Sequence, residues 1–164
     1  MIKRDLSAVI LRESGELPVV TITGPRQSGK TTLVKALFPD YNYANLENPE
    51  IRSLASGDPK TFFRRFKLPV VIDEVQRFPE LLSWIQIYAD EGVPNGSFIL
   101  TGSHQLQLHN AISQSLAGRT SVLTLLPLSV SELREYGVNL SKEEFMHKGF
   151  LPRIHGEQTG VLST

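Results

Sequence analysis

Cysteine is absent from all 164 residues, which excludes disulfides, thiolate metal ligands and a cysteine nucleophile together. Net charge is absent too, because seventeen Lys and Arg offset seventeen Asp and Glu. A large basic footprint of the kind that grips nucleic-acid backbones is therefore missing, and only a local patch is open to the chain. No apolar run approaches the roughly 20 residues that cross a bilayer. The opening residues lead into a short apolar stretch, Ala8–Leu11, that is broken at once by Arg12 and Glu13. That is too short and too charged for a secretory signal. There is no internal repeat and no low-complexity segment. These absences leave a cytoplasmic, non-membrane protein as the expectation, one domain long and large enough to bury a real core.

What is present is an alternation. Leu17–Thr23 is rich in β-branched residues and stops at Gly24-Pro25, so it reads as a buried strand. Lys30–Phe38 follows as a helix with Leu33, Ala36 and Leu37 on one face, ended by Pro39. Tyr41–Leu46 is a second strand, and Asn48-Pro49 reads as an N-cap followed by proline at the first helical position. Pro69–Asp73 is a third strand, Pro79–Asp90 a helix, Ser97–Thr101 a fourth strand, Gln105–Leu116 a helix and Thr120–Leu126 a fifth strand. Ser129–Tyr136 opens a last helix with Ser129 as cap and Glu132 three residues on. Five short, nearly all-apolar strands alternating with helices predict a doubly wound α/β sheet, mainly parallel and covered on both faces.

The turn after the first strand carries chemistry. Gly24-Pro25-Arg26-Gln27-Ser28-Gly29-Lys30-Thr31 fits GxxxxGK[ST], with Thr32 the next residue of the cofactor-binding set. Glycines at both ends let the chain turn tightly, so that successive N–H groups face a phosphate. The helix that begins at Lys30 adds its N-terminal dipole. Lys30 then suits the β- and γ-phosphates, and the Thr31 hydroxyl suits Mg²⁺.

Two further strand ends are polar. Val70-Val71-Ile72 runs into Asp73-Glu74. Asp73 is placed to serve Mg²⁺, and Glu74 to polarise a water for in-line attack on the γ-phosphate. The plainer reading makes Asp73 the cap of the next helix, with Glu74 in its first turn. The fourth strand ends Thr101-Gly102-Ser103-His104. In a doubly wound sheet, ligands sit beyond the carboxyl ends of the strands. Ser103 is thus the first candidate to hold the attacking water or to sense the γ-phosphate, and Thr101 the second. Turn formation and helix capping are their alternative.

Other features carry less. Glu47, after the second strand, is an auxiliary carboxylate or, more simply, a loop residue. Phe62-Phe63-Arg64-Arg65-Phe66-Lys67 mixes aromatics and cations as nucleic-acid surfaces do. An amphipathic helix with buried Phe and solvated Arg explains it as well and is preferred. The four histidines have no zinc-site spacing.

GPRQSGKTTL, VVIDEVQRFPELL, FILTGSHQ and SQSLAGR…LLPLSVSEL together resemble the ATPase core of a prokaryotic family of AAA-type ATP-binding proteins. In that family the core precedes a C-terminal domain of unknown function with a nuclease-like fold. The resemblance covers roughly residues 1–152, leaving 153–164 as a polar tail. It implies ATP as the nucleotide and the strand order 5-1-4-3-2. It also implies catalytic or binding roles for Lys30, Thr31, Asp73, Glu74 and Ser103. Arg119 stands where AAA-type proteins often carry an arginine that completes a neighbouring subunit's site, which implies a homo-oligomer. Its alternative is a surface arginine at a helix C-terminus. Members of the family continue past this point, so a second domain and a helical lid are expected to be missing here, whether by truncation or by nature. Three functions follow, in order of preference. The first is an ATPase that drives a protein partner or effector domain, the second a nucleotide-gated switch with little hydrolysis, and the third a small-molecule kinase.

Overall fold

The computed structural model describes residues 4–127. The five strands are β1 (Val19–Gly24), β2 (Asn42–Asn45), β3 (Val70–Asp73), β4 (Phe98–Ser103) and β5 (Thr120–Thr124). All neighbours pair in parallel, in the order β2-β3-β4-β1-β5. Read from the other edge, this is the expected 5-1-4-3-2.

Six helices surround the sheet: α1 (Ser7–Ser14), α2 (Lys30–Leu37), α3 (Pro49–Gly57), α4 (Pro59–Arg65), α5 (Leu81–Asp90) and α6 (Leu106–Leu116). A 3₁₀ turn, Val75–Arg77, follows β3. The pleat sends alternate strand residues to opposite faces. Val70, Ile72, Phe98 and Leu100 face a core built with Phe62, Leu81, Leu82, Ile85 and Leu116 from α4, α5 and α6. Val71, Ile99, Val20 and Ile22 face the other core, with Ile10 from α1 and Leu33 and Val34 from α2. Each wholly buried Leu, Ile or Phe contributes about 1.5–3 kcal/mol relative to exposure. Two such layers hold the strand ends rigidly.

Several local expectations are met for their stated reasons. Asn48 caps α3 by accepting the Glu50 N–H at 2.9 Å, with Pro49 at the first turn. Asp58, which was not read as a cap from the sequence, does the same for α4 with Pro59, accepting the Thr61 N–H at 3.1 Å. In α4 the apolar side chains turn inward, Phe62 and Phe63 being buried while Arg64 and Arg65 are exposed. That is the preferred amphipathic reading of the Phe-Arg segment.

Three details differ. The inward face of α2 is Leu33, Val34 and Leu37, while Ala36 is exposed. The first helix, α1, has no sequence signal to announce it, since Leu6 at its start supplies no side-chain cap. Finally, β4 runs two residues further than expected, through Gly102 to Ser103. The helix expected at Ser129–Tyr136 and the polar tail lie outside the described residues.

Candidate nucleotide site

β1 ends at Gly24 because nothing larger fits. A Cβ there would lie 2.2 Å from the Leu125 carbonyl oxygen, where Leu125 donates its N–H to the Thr23 carbonyl at 2.7 Å. The chain then turns through Gln27 (φ 61°) and Gly29 (φ 94°), both left-handed, and enters α2. No side chain caps that helix. Its first N–H groups lack intrahelical acceptors by construction, so Lys30, Thr31 and Thr32 present donors at an electropositive helix end. Ser28 braces the turn from inside, its hydroxyl donating to the Pro25 carbonyl at 2.8 Å.

Lys30 is almost wholly buried, and its Nζ donates to the Gly24 and Pro25 carbonyls at 2.9 and 2.8 Å. The ammonium is thereby folded into the loop it serves. Burial holds its pKa below the ordinary lysine range, against the attraction of Glu74 and Asp73. Pro25, Arg26 and Gln27 form the exposed crest of the loop.

Asp73 is 1% exposed and is surrounded by hydroxyls. Its Oδ2 accepts the Thr31 hydroxyl at 2.7 Å and also the Tyr43 phenol. Its Oδ1 accepts the Thr101 hydroxyl. The plainer reading of Asp73 as a helix cap therefore does not hold, since its oxygens turn toward α2 and the neighbouring strands. The 3₁₀ turn begins instead at Glu74, left-handed at φ 62° and without a side-chain cap. Glu74 donates its N–H to Thr101 Oγ1 at 3.1 Å. Its carboxylate accepts from Gln76 Nε2.

Ser103 pairs in register with Gly24, so the β4 tip stands beside the phosphate loop. Its Oγ is buried and has no hydrogen-bond partner among the described residues. A buried hydroxyl left open this way costs about 1–3 kcal/mol. It is an unused donor beside a loop built to take phosphate.

Glu47 reaches the site's rim only as an exposed ion-pair partner of Arg77 at 3.6 Å. Arg119 is elsewhere. Thr120 pairs with Val19 at the start of β1, so Arg119 is about 20 Å from the Gly24 end at roughly 3.3 Å per strand residue. It grips Asp90 with two hydrogen bonds, at 2.5 and 3.1 Å. Within one chain it cannot touch the loop's phosphates. His104 and His109 lie against each other on the surface. Among the described residues no group of three or more His, Asp or Glu is set to hold a metal alone.

Three residues were not singled out in the sequence. Tyr43 sits on β2, one pleat before Asn45, which pairs with Asp73. Gln76 lies two residues past Glu74. Arg4, buried, donates to the Ser28 carbonyl at 2.5 Å and to that of Leu126. Only Gln76 had a local signal, its closeness to the acidic pair; the other two are joined to the site by folding alone.

Known proteins share the family and the fold of this chain. A family model described as AAA domain matches residues 16–134. Uncharacterized proteins of Mycobacterium bovis and Mycobacterium tuberculosis are each 32% identical over 153 residues. That alignment takes in 92% of this chain and 34% of theirs, so the chain spans about a third of the curated relatives it matches. Among solved structures, the Walker-type ATPase PABY2304 of Pyrococcus abyssi aligns with TM-score 0.62 at 20% identity, covering 98% of this chain and 69% of that one. AMPPCP-bound DnaA from Aquifex aeolicus aligns with TM-score 0.58 at 16% identity, covering 96% and 59%. Those likenesses establish the fold. Among the described residues no helix is long and apolar enough to cross a membrane. With the loop, the acidic strand end and the family match in place, the chain belongs to the AAA domain family and carries a prokaryotic AAA-type P-loop ATPase core.

Proposed function

We propose that this chain binds ATP with Mg²⁺ through Gly24–Thr32 and hydrolyses the ATP to ADP and phosphate in the cytoplasm, driving a protein partner or an attached effector domain. The observation that carries the hydrolytic reading is the position of Glu74. It follows Asp73 directly at the end of β3, and its backbone N–H is tied to β4 through Thr101 at 3.1 Å. A carboxylate at a strand end beside the phosphate loop is what water attack requires.

The residues divide the work as follows. The α2 N–H groups and Lys30 hold the β- and γ-phosphates and offset their charge. Ser103 Oγ, unpartnered beside Gly24, donates to the γ-phosphate or to the attacking water. Glu74 accepts a proton from that water as its oxygen bonds to the γ-phosphorus and the bond to the bridging oxygen of ADP breaks. Thr31 and Asp73 fit Mg²⁺, which commonly takes one or two protein ligands and completes its shell with phosphate and water oxygens. Bound there, the ion would neutralise charge developing on the β- and γ-oxygens. Thr101 and Tyr43 orient Asp73. Arg119 takes part only across a boundary between two copies of the chain.

The test is phosphate release under single-turnover conditions, with protein in excess over labelled ATP. Glu74→Gln should retain nucleotide and lose release by at least about a hundredfold. Equal release by the two proteins removes Glu74 as base. If the unsubstituted chain holds intact ATP through long incubation, it is a nucleotide-gated switch instead.

A further inference from the structure

Gln76 has both ends of its side-chain amide engaged. Nε2 donates to the Glu74 carboxylate, and Oε1 accepts the Ser103 N–H at 3.1 Å. That orientation matches donor to carboxylate and acceptor to N–H, so neither end is wasted. The position has a physical origin. The ladder between β3 and β4 stops at Ile72 and Leu100, because Glu74 turns left-handed and the chain leaves the sheet. β4 continues to Ser103 without a β3 partner, and the Gln76 amide takes the place of the missing strand. Gly102 makes room for this. A Cβ there would lie 3.2 Å from Gln76 Oε1 and 2.5 Å from a methyl of Leu108.

From this we infer that Gln76 is a positioning residue for ATP hydrolysis, holding the Glu74 carboxylate to the tip of β4. Glu74 is then fixed to β4 twice, by its backbone through Thr101 and by its carboxylate through Gln76. Ser103, whose N–H completes that link, also carries the open hydroxyl next to Gly24. Movement of the β4 tip as Ser103 meets phosphate is passed through one amide to the base. The inference rests on the hydrolytic reading above.

Two substitutions separate positioning from plain structural support. Gln76→Met removes both hydrogen bonds at similar volume. Gln76→Glu keeps the acceptor for Ser103 but sets a carboxylate against Glu74. In single-turnover phosphate release, Gln76→Met should slow the chemical step by about tenfold to a hundredfold, the range expected when a reacting group is misplaced by an ångström. The protein concentration for half-maximal rate should stay within about twofold, since Gln76 is not among the phosphate-binding residues. Gln76→Glu should be at least as slow as Gln76→Met, although it keeps the Ser103 contact, because its carboxylate repels the one that Gln76 holds. A purely structural Gln76 gives the opposite ranking, with Gln76→Glu the milder variant, and that ranking overturns the inference. So does Gln76→Met retaining its rate within about twofold while Glu74→Gln is inactive. If Glu74→Gln releases phosphate normally, Glu74 is not the base and the role given to Gln76 falls with it; if the unsubstituted chain releases none, the hydrolytic reading itself fails.

Discussion

Replacing Thr101 with valine tests whether the acidic strand end is held by its hydroxyl neighbours. Thr101 is wholly buried. Its Oγ1 donates to Asp73 and accepts from the Glu74 N–H at 3.1 Å. Valine fills nearly the same volume and can do neither. A hydrogen bond to a charged group contributes about 1.5–3 kcal/mol, and a buried N–H left unpaired costs about 1–3 kcal/mol. The two together destabilise the chain by about 2.5–6 kcal/mol, a large share of the 5–15 kcal/mol typical of a folded domain. With a urea dependence of about 2 kcal/mol per molar, the unfolding midpoint should fall by about 1.2–3 M. Thr101→Ser keeps the hydroxyl and loses one methyl, for about 1 kcal/mol, so its midpoint should fall by about 0.5 M. Urea unfolding followed by circular dichroism measures both. A valine variant within about 0.5 M of the unsubstituted chain would refute the reasoning. Equal losses for serine and valine would refute it too, because the hydroxyl would then not be the cause.

Other outcomes follow from the same geometry. Tyr43→Phe removes one donor to Asp73 but keeps the ring under Lys35, whose Nζ is 4.1 Å from its centroid; the melting temperature should fall by about 3–6 °C, and an unchanged melt would mean that the phenol does not serve Asp73. Burial lowers the Lys30 pKa and bound polyphosphate should raise it, so ATP affinity should be full below the free-state pKa and decline as pH rises through it. Fluorescent-ATP titrations across alkaline pH measure this; a flat profile, or a decline that Lys30→Ala shares, would exclude Lys30 as its source. Without ligand the sign is reversed: the folded chain releases this proton before the unfolded chain does, so Lys30's contribution to stability grows with pH through that window. If Arg119 serves a neighbouring copy, mixing Arg119→Ala chains with Lys30→Ala chains should restore phosphate release that neither shows alone; no restoration, or full activity of Arg119→Ala by itself, would count against a role in trans.

The division between legible and hidden residues follows contact distance along the chain. Gly24, Gly29, Lys30 and Thr31 act within one turn, so their spacing alone encodes how they meet a phosphate. The strands were legible because a sheet covered on both faces needs short apolar runs, and Val70–Ile72 and Phe98–Leu100 are such runs. Asn48, followed by proline, announced one helix; Asp58-Pro59 carries the same signal for α4 but was not read. Helix α1 was not legible, since nothing local caps it and only Ile10 is buried.

The site's second layer was decided by the fold. Tyr43 lies 30 residues from Asp73 and meets it because β2 and β3 pair. Arg4 lies 24 residues from Ser28. Thr101 ranked behind Ser103 in the sequence, yet it is the one bonded to Asp73 and to the Glu74 N–H, while Ser103 Oγ stays open. That distinction depends on β4 running past the end of β3, which no local pattern shows. Arg119 likewise reads as catalytic or superficial until the parallel pairing of β5 puts it at the far end of the sheet. The sequence by itself determined the phosphate loop and the strand-and-helix alternation, because turns, caps and apolar periodicity are short-range. Tertiary structure alone decided which polar groups meet at the strand tips, because parallel strands bring together residues that are far apart along the chain.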